Sequence, residues 1–124
     1  MPHLTLEYTD NLPQFNVDNA LLLLNKVLLA SGQFDEIDIK SRALKLCTFL
    51  VGTSAHGRGF AHVKLAILDG RSSEVKRALS ENLLQVLKKI FKLNDNLHVQ
   101  FCVEVQDIGR ESYTKASIAI GPFN

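Results

Sequence analysis

An excess of charge of either sign is missing from this chain. Fourteen Lys and Arg stand against thirteen Asp and Glu, a net charge of +1 with His neutral. Such a balance projects no long-range field, which argues against a protein built to bind nucleic acid electrostatically. The local cluster Lys88, Lys89 and Lys92 falls late in a helical pattern, where it complements the C-terminal end of a helix dipole. Cysteine is scarce too. Cys47 and Cys102 are far apart, show no metal-ligand spacing, and each lies in an apolar strand-like run (LKLCTFLV and VQFCVEV). Both are expected to be small buried hydrophobes in a reducing compartment, the cytoplasm. No basic stretch followed by an apolar one opens the chain, so a secretory signal is not expected. The most apolar segment, ALLLLNKVLLA, is too short to cross a bilayer and contains Asn25 and Lys26, so a membrane partner is not expected either. No Gly-rich phosphate loop, nucleophile elbow or metal cluster is visible, and the expectation is a protein without metal or cofactor.

The 124 residues, 46% of them hydrophobic and 22% charged, suit a single domain spanning 1–124 with a core that needs no disulfide. Residues 2–8 alternate: Pro2, Leu4, Leu6 and Tyr8 share one face of a strand, and His3, Thr5 and Glu7 the other. Asp10, Asn11 and Pro13 break it. Asn16 or Asp18 caps a helix running to about Ser31, with Leu21, Leu24 and Leu28 as its stripe and Gly32 at the left-handed position beyond its end. Residues 37–51 read as a long second strand, GTSAHGRG as a turn or loop, and 60–68 as a third strand. A second helix follows, capped by Ser72 or Ser73, with Val75, Leu79, Leu83, Val86, Leu87 and Ile90 on one face; Asn94 to Asn96 stop it. A fourth strand covers 97–105, and a short final strand is expected over 113–120.

The expected fold is α+β: a duplicated β-α-β arrangement, repeated in element order and not in residues, with a four-stranded mixed sheet, both helices on one face, and a short C-terminal strand. Each β-α-β crossover calls for a parallel pair. Val, Ile, Phe and Leu recur on both faces of the later strands, so the uncovered sheet face is expected to be buried against another copy of the chain, with the C-terminal strand as a subunit contact.

Several segments carry a resemblance: PHLTLEYTDNL at the start, IDIKSRALKL in the second strand, and GFAHVKLAILDGRSSEVKRAL across the third strand and second helix. With proline directly after Met, they are similar to the tautomerase superfamily, and within it to the 5-carboxymethyl-2-hydroxymuconate delta-isomerases. The likeness runs over nearly the whole chain and is weakest at 52–58 and after 106. It implies a homotrimer with sites between subunits, a small-molecule substrate that is a carboxylated dienol or keto acid, and Pro2 as the acid–base catalyst of a 1,3-allylic proton shift in the breakdown of aromatic compounds. Other chemistry on the same scaffold, such as arylpyruvate tautomerisation, decarboxylation or dehalogenation, is a rival expectation; a non-catalytic trimeric binding module is another.

The residues supply a physical basis. Loss of the initiator Met leaves Pro2 as a free secondary amine. A reference α-amino group titrates at roughly 7.7–8, and burial or cationic neighbours lower that value toward neutrality, where one group serves as both base and conjugate acid. A proline that merely opens an edge strand is the structural alternative. Arg71 stands at a turn just before a helix N-terminus, a place suited to an anion, and its planar fork matches a carboxylate. Lys40 and Arg42, two apart on a strand, project to one face. A carboxylated substrate would relieve their repulsion; so would solvent, or pairing with Asp38 or Glu36. Relatives tend to show Arg-Ser-Arg where this chain has Lys40-Ser41-Arg42, which keeps the charge but loses one fork. Tyr8, Phe60 and Tyr113 are possible pocket walls, Tyr113 for a neighbouring subunit's site. His62, in an apolar strand, is expected to be a structurally satisfied histidine.

Overall fold

The computed structural model describes residues 1–13, 16–92 and 96–122. Four strands and two helices follow in order: β1 His3–Thr9, α1 Val17–Ala30, β2 Lys40–Leu46, β3 Arg58–Leu68, α2 Ser73–Ile90 and β4 His98–Ile108. Short 3₁₀ turns at Glu36–Asp38 and Arg110–Ser112 precede β2 and follow β4. The sheet order is β2-β1-β3-β4. β1 pairs parallel with β2, β3 parallel with β4, and the two halves join through the antiparallel β1–β3 pair. The sheet is therefore mixed, as the duplicated β-α-β reading requires.

Each helix begins where its cap residue says it should. The Asn16 side chain accepts the Asn19 amide, and the Ser72 hydroxyl accepts that of Val75 at 3.2 Å. Both occupy a frayed helix start whose N–H groups otherwise lack partners. Gly32, with φ +73°, ends α1 in the left-handed region a side chain resists. Leu24 and Leu28 on α1, and Leu79, Leu83 and Leu87 on α2, recur at the helical i, i+4 spacing and are buried. They meet Leu4 and Leu6 of β1 and Ala61, Val63, Leu65 and Ile67 of β3 in one core. Each fully buried leucine contributes about 1.5–3 kcal/mol. Pro2 is buried with them, at the lip of this layer.

The structure corrects four expectations. The second strand does not span 37–51. Asp38 and Ile39 donate back to the carbonyls of Asp35 and Glu36, so the acidic stretch winds into a tight turn, and pairing ends where the Asp10 amide bonds the Leu46 carbonyl. Residues 113–120 are not a strand: a ladder needs a neighbouring edge, and this segment meets none within its own chain. Cys47 and Cys102 are exposed and free, Cys47 because it lies past the end of β2, Cys102 because it shares the open sheet face with His62. That open face is also more polar than expected. It carries His3, Thr5 and Glu7, Lys40 and Arg42, His62 and Lys64, and Gln100, Glu104 and Gln106, because Val99, Phe101, Val103 and Val105 of β4 all turn to the helix side. Of the large exposed hydrophobics, Leu44 shares this face with Arg42 and Leu50 borders it beside His62 and Gln100, while Leu22, Leu23 and Leu29 lie on α1 and Ile37, Ile118 and Ile120 lie outside the strands. Asn94 and Asp95, expected to stop α2, lie outside the described residues; the helix ends at Ile90.

Candidate active site

β1 is an inner strand, so its first residues are held from both sides. The Lys40 amide donates to the Pro2 carbonyl at 3.1 Å, which starts the β1–β2 ladder at the chain's N-terminal end. This register draws three cationic side chains around the N-terminus: Lys40 from β2, Arg71 from the turn before α2, and Lys115 from the segment after β4. One carboxylate, Asp38, accompanies them. The Met1 ammonium is held below the ordinary value of 8.0, chiefly because burial strips it of water; Arg71, Lys40 and Lys115 push the same way and Asp38 opposes them. In the intact chain this amine stands one residue outside the Pro2 nitrogen, which is itself a peptide nitrogen while Met1 is attached.

The partners of each cation differ. The Arg71 Nε donates to Gln33 Oε1 at 3.1 Å, Nη2 to the Gln33 carbonyl at 2.9 Å and Nη1 to the Leu68 carbonyl at 3.3 Å, while the guanidinium lies 4.6 Å over the Phe34 ring. Arg71 thus ties the end of β3 to the loop after α1, and the rest of its fork remains for an anion. The Lys40 Nζ donates to the backbone carbonyl of Asp38 at 2.8 Å and not to its carboxylate. The Asp38 carboxylate is taken by the Lys115 Nζ, whose hydrogen bond holds its pKa below the usual carboxylate value. The Lys115 Nζ also lies 3.4 Å from the Met1 sulfur.

Arg42 is one step further along the sheet. Its Nη2 lies 3.2 Å from His3 Nδ1, and His3 Nε2 lies 2.9 Å from the Tyr113 hydroxyl. A guanidinium only donates, so Nδ1 must be the acceptor and Nε2 carries the proton toward Tyr113. The imidazole is thereby held neutral, and its pKa is lowered by burial first, then by Arg42, Lys40 and the N-terminus.

Pro2, Lys40 and Arg71 are therefore brought to one corner, with Arg42 and Tyr113 beside it on the open sheet face. Tyr113 bonds a histidine of its own chain. Tyr8 and Phe60 are not at this corner: they lie at the far end of β1, about 20 Å from Pro2 at the rise of an extended strand. Phe60 packs edge-on to Phe49 and lines a cavity of about 470 Å³ with Leu50, Val51, His62, Gln100 and Cys102. His62 is satisfied by Glu104 at 2.8 Å, as expected. Three residues of the corner escaped the sequence reading as participants: Lys115, Gln33 and His3. Their partners lie 77, 38 and 110 positions away, and no local pattern signals such contacts. Among the described residues no group of His, Cys, Asp and Glu is placed to hold a metal ion, and no helix is long and apolar enough to cross a membrane.

Comparison with known proteins adds independent evidence. The family model for 5-carboxymethyl-2-hydroxymuconate isomerase matches residues 2–120. The 5-carboxymethyl-2-hydroxymuconate Delta-isomerase of Escherichia coli is 29% identical over 92 residues, 73% of each chain. The crystal structure of a 5-carboxymethyl-2-hydroxymuconate isomerase from Deinococcus radiodurans R1 superposes with a TM-score of 0.82 at 32% identity, covering 94% of this chain and 90% of that one. A symmetric trimer of fused 4-OT shares the fold at a TM-score of 0.74 and 18% identity, over 92% and 91% of the two chains. The match over nearly the whole length, in sequence and in fold, makes this chain a member of the 5-carboxymethyl-2-hydroxymuconate isomerase family.

Proposed function

We propose that the protein catalyses a 1,3-allylic proton shift, ketonising a carboxylated muconate-type dienol, with Pro2 as the acid–base group once Met1 has been removed and with no cofactor. The observation that carries this reading is a buried Pro2 at the head of an inner strand with three cationic side chains around the N-terminus. The neutral proline nitrogen takes the proton from the dienol hydroxyl. The oxygen becomes a carbonyl, the double bonds shift by one position, and the resulting ammonium returns the proton to a distant carbon. The same surroundings that depress the Met1 amine favour an uncharged Pro2 nitrogen near neutral pH. Arg71, Lys40 and Arg42 hold the carboxylates and draw electron density along the conjugated system.

The functional unit of this reading is a homotrimer. A chain of 13.8 kDa exposes 8138 Å², whereas a compact monomer of that mass exposes about 6,600 Å². The exposed Leu22, Leu29, Ile37, Ile118 and Ile120 belong to that surplus. In such an assembly Tyr8, Phe60 and Tyr113 serve as walls of sites shared between neighbours. A second reading, tautomerisation of an arylpyruvate, is favoured by Asp38: one carboxylate among the cations leaves less charge for a substrate with several carboxylates.

Intact mass establishes whether Met1 is absent. Loss of the ultraviolet absorbance of 2-hydroxymuconate or its carboxymethyl derivative is then followed with and without protein. One extra residue ahead of Pro2 is expected to lower kcat/KM by about 10²–10⁴-fold, the range of general acid–base catalysis. Equal rates for both forms at the solvent rate would leave a binding module; turnover of phenylenolpyruvate alone would establish the arylpyruvate reading.

A further inference from the structure

Lys115 lies on the irregular segment after β4, outside every motif that the sequence offers, yet it reaches the first residue of the chain. Its Nζ sits between the Asp38 carboxylate and the Met1 sulfur. The segment is pinned two residues earlier, where the Tyr113 hydroxyl meets His3. The direction from which Lys115 approaches the N-terminus is therefore fixed by a second contact. Its ion pair is also the most enclosed one among the described residues: the side chains of Lys115 and Asp38 are 30% and 24% exposed, while at least one partner in every other pair exceeds 40%.

The Met1 side chain fills the space against Lys115. When Met1 is gone, that space separates the Pro2 nitrogen from the Lys115 ammonium. The other cations of the corner are occupied differently. Arg71 donates to two carbonyls and an amide oxygen, Arg42 to an imidazole and Lys40 to a carbonyl. Lys115 alone among these four has a carboxylate as its partner in this structure, the group a substrate would bring. Exchanging one carboxylate for another leaves the charge on Lys115 compensated throughout, so the exchange avoids the cost of stripping an ammonium of its counter-charge. Asp38, once released, keeps partial contact with water and the nearby Lys40.

We propose that Lys115 binds a substrate carboxylate in this site and that Asp38 holds its ammonium in place while the site is empty. This rests on the reading of the Pro2 corner as the active site. It gives the C-terminal segment a direct part in recognition, and it predicts that Asp38 competes with the substrate.

Competition separates this role from a purely structural one. Lys115→Met and Asp38→Asn both break the same ion pair. If the pair were only a strut, both changes would weaken binding alike. Under the proposal they act with opposite sign. In the Met-free protein, Lys115→Met is expected to raise KM for a dicarboxylated dienol about ten- to a hundredfold, the size of one lost hydrogen bond to a charged group. It should change kcat much less, and Lys115→Arg should restore most of the loss. Asp38→Asn should lower KM. Calorimetric titration with adipate, a dicarboxylate that cannot react, reads the same order of affinities without turnover. Parallel weakening in Lys115→Met and Asp38→Asn, an unchanged Lys115→Met, or a wild-type protein that takes no adipate at millimolar concentration would each overturn the assignment. Should wild type bind adipate in a Lys115-dependent way yet fail to ketonise dienols, the isomerase reading falls while the role of Lys115 in binding carboxylates stands.

Discussion

Arg71→Ala should cost this protein stability as well as activity, and the size of the stability loss follows from the contacts. The guanidinium makes three hydrogen bonds, to Gln33 Oε1, the Gln33 carbonyl and the Leu68 carbonyl, and covers the Phe34 ring. A net hydrogen bond contributes about 0.5–1.5 kcal/mol, and partial exposure of these three argues for the lower half of that range. The cation–π contact adds about 0.5–1 kcal/mol at an exposed site. Alanine also leaves two carbonyls to find water, which the exposed position permits. The expected loss is about 2–4 kcal/mol. For a chain of this length, each kcal/mol at Tm moves the midpoint by about 4 °C, so Tm should fall by about 8–16 °C. Thermal unfolding at fixed protein concentration is the assay, because an oligomer's midpoint depends on concentration. Arg71→Lys keeps the charge but cannot reach three acceptors at once, and should lose roughly half as much. Rates measured well below both midpoints then isolate the effect of the missing charge on kcat/KM. A residue that only greets substrate would leave Tm unmoved when truncated. A shift below about 2 °C for Arg71→Ala would therefore refute the view of this side chain as a splint between β3 and the loop after α1.

Three further outcomes follow from the same geometry. Asp38 is the group that raises the N-terminal amine's pKa against burial and the cations; Asp38→Asn should displace the acidic limb of the kcat/KM profile to lower pH, and a displacement to higher pH would contradict that electrostatic arrangement. The folded-state pKa of His3 lies below its ordinary 6.5, so the neutral form is favoured on folding. Its contribution is intact above pH 6.5 and lost as pH falls through the lowered value; Tm measured from pH 7 to pH 5 should decline less in His3→Gln than in wild type. Gly59 has no room for a methyl group, since a Cβ would meet Thr9 Oγ1 at 2.7 Å and Asn11 Oδ1 at 2.8 Å. Gly59→Ala should destabilise by about 1–3 kcal/mol in denaturant unfolding, and a neutral result would show that the turn after β1 yields easily.

Much of the fold was legible because its determinants are local. Alternation in β1, the i, i+4 leucines of both helices, the Asn16 and Ser72 caps and the Gly32 stop each act within a few residues. The errors share the opposite character. The 37–51 run alternates like a strand, but only pairing with β1 decides its length, and β1 stops at Thr9. Alternation at 113–120 marks a segment able to pair, but within this chain it lies along neither outer strand of the sheet, β2 or β4. The cysteines sit in apolar runs, yet Cys102 falls on the face turned from the helices, and composition does not say which face that will be. At the candidate site, Pro2, Lys40, Arg42 and Arg71 were singled out by residue type and place, and the fold brings them to one end of the sheet. Lys115 was not, because only the three-dimensional return of the chain carries it to the N-terminus.

That return has a temporal side. Met1 meets a residue 114 positions later and His3 one 110 positions later. At translation speeds of roughly 5–20 residues per second, the last walls of this corner leave the ribosome about 5–20 s after the first. For that interval the N-terminus is open to a methionine-removing enzyme. Afterwards the Lys115 ammonium stands against the sulfur. Where Pro2 serves as proposed, order matters: trimming before the tail arrives meets an uncovered methionine, and trimming afterwards meets one in contact with Lys115.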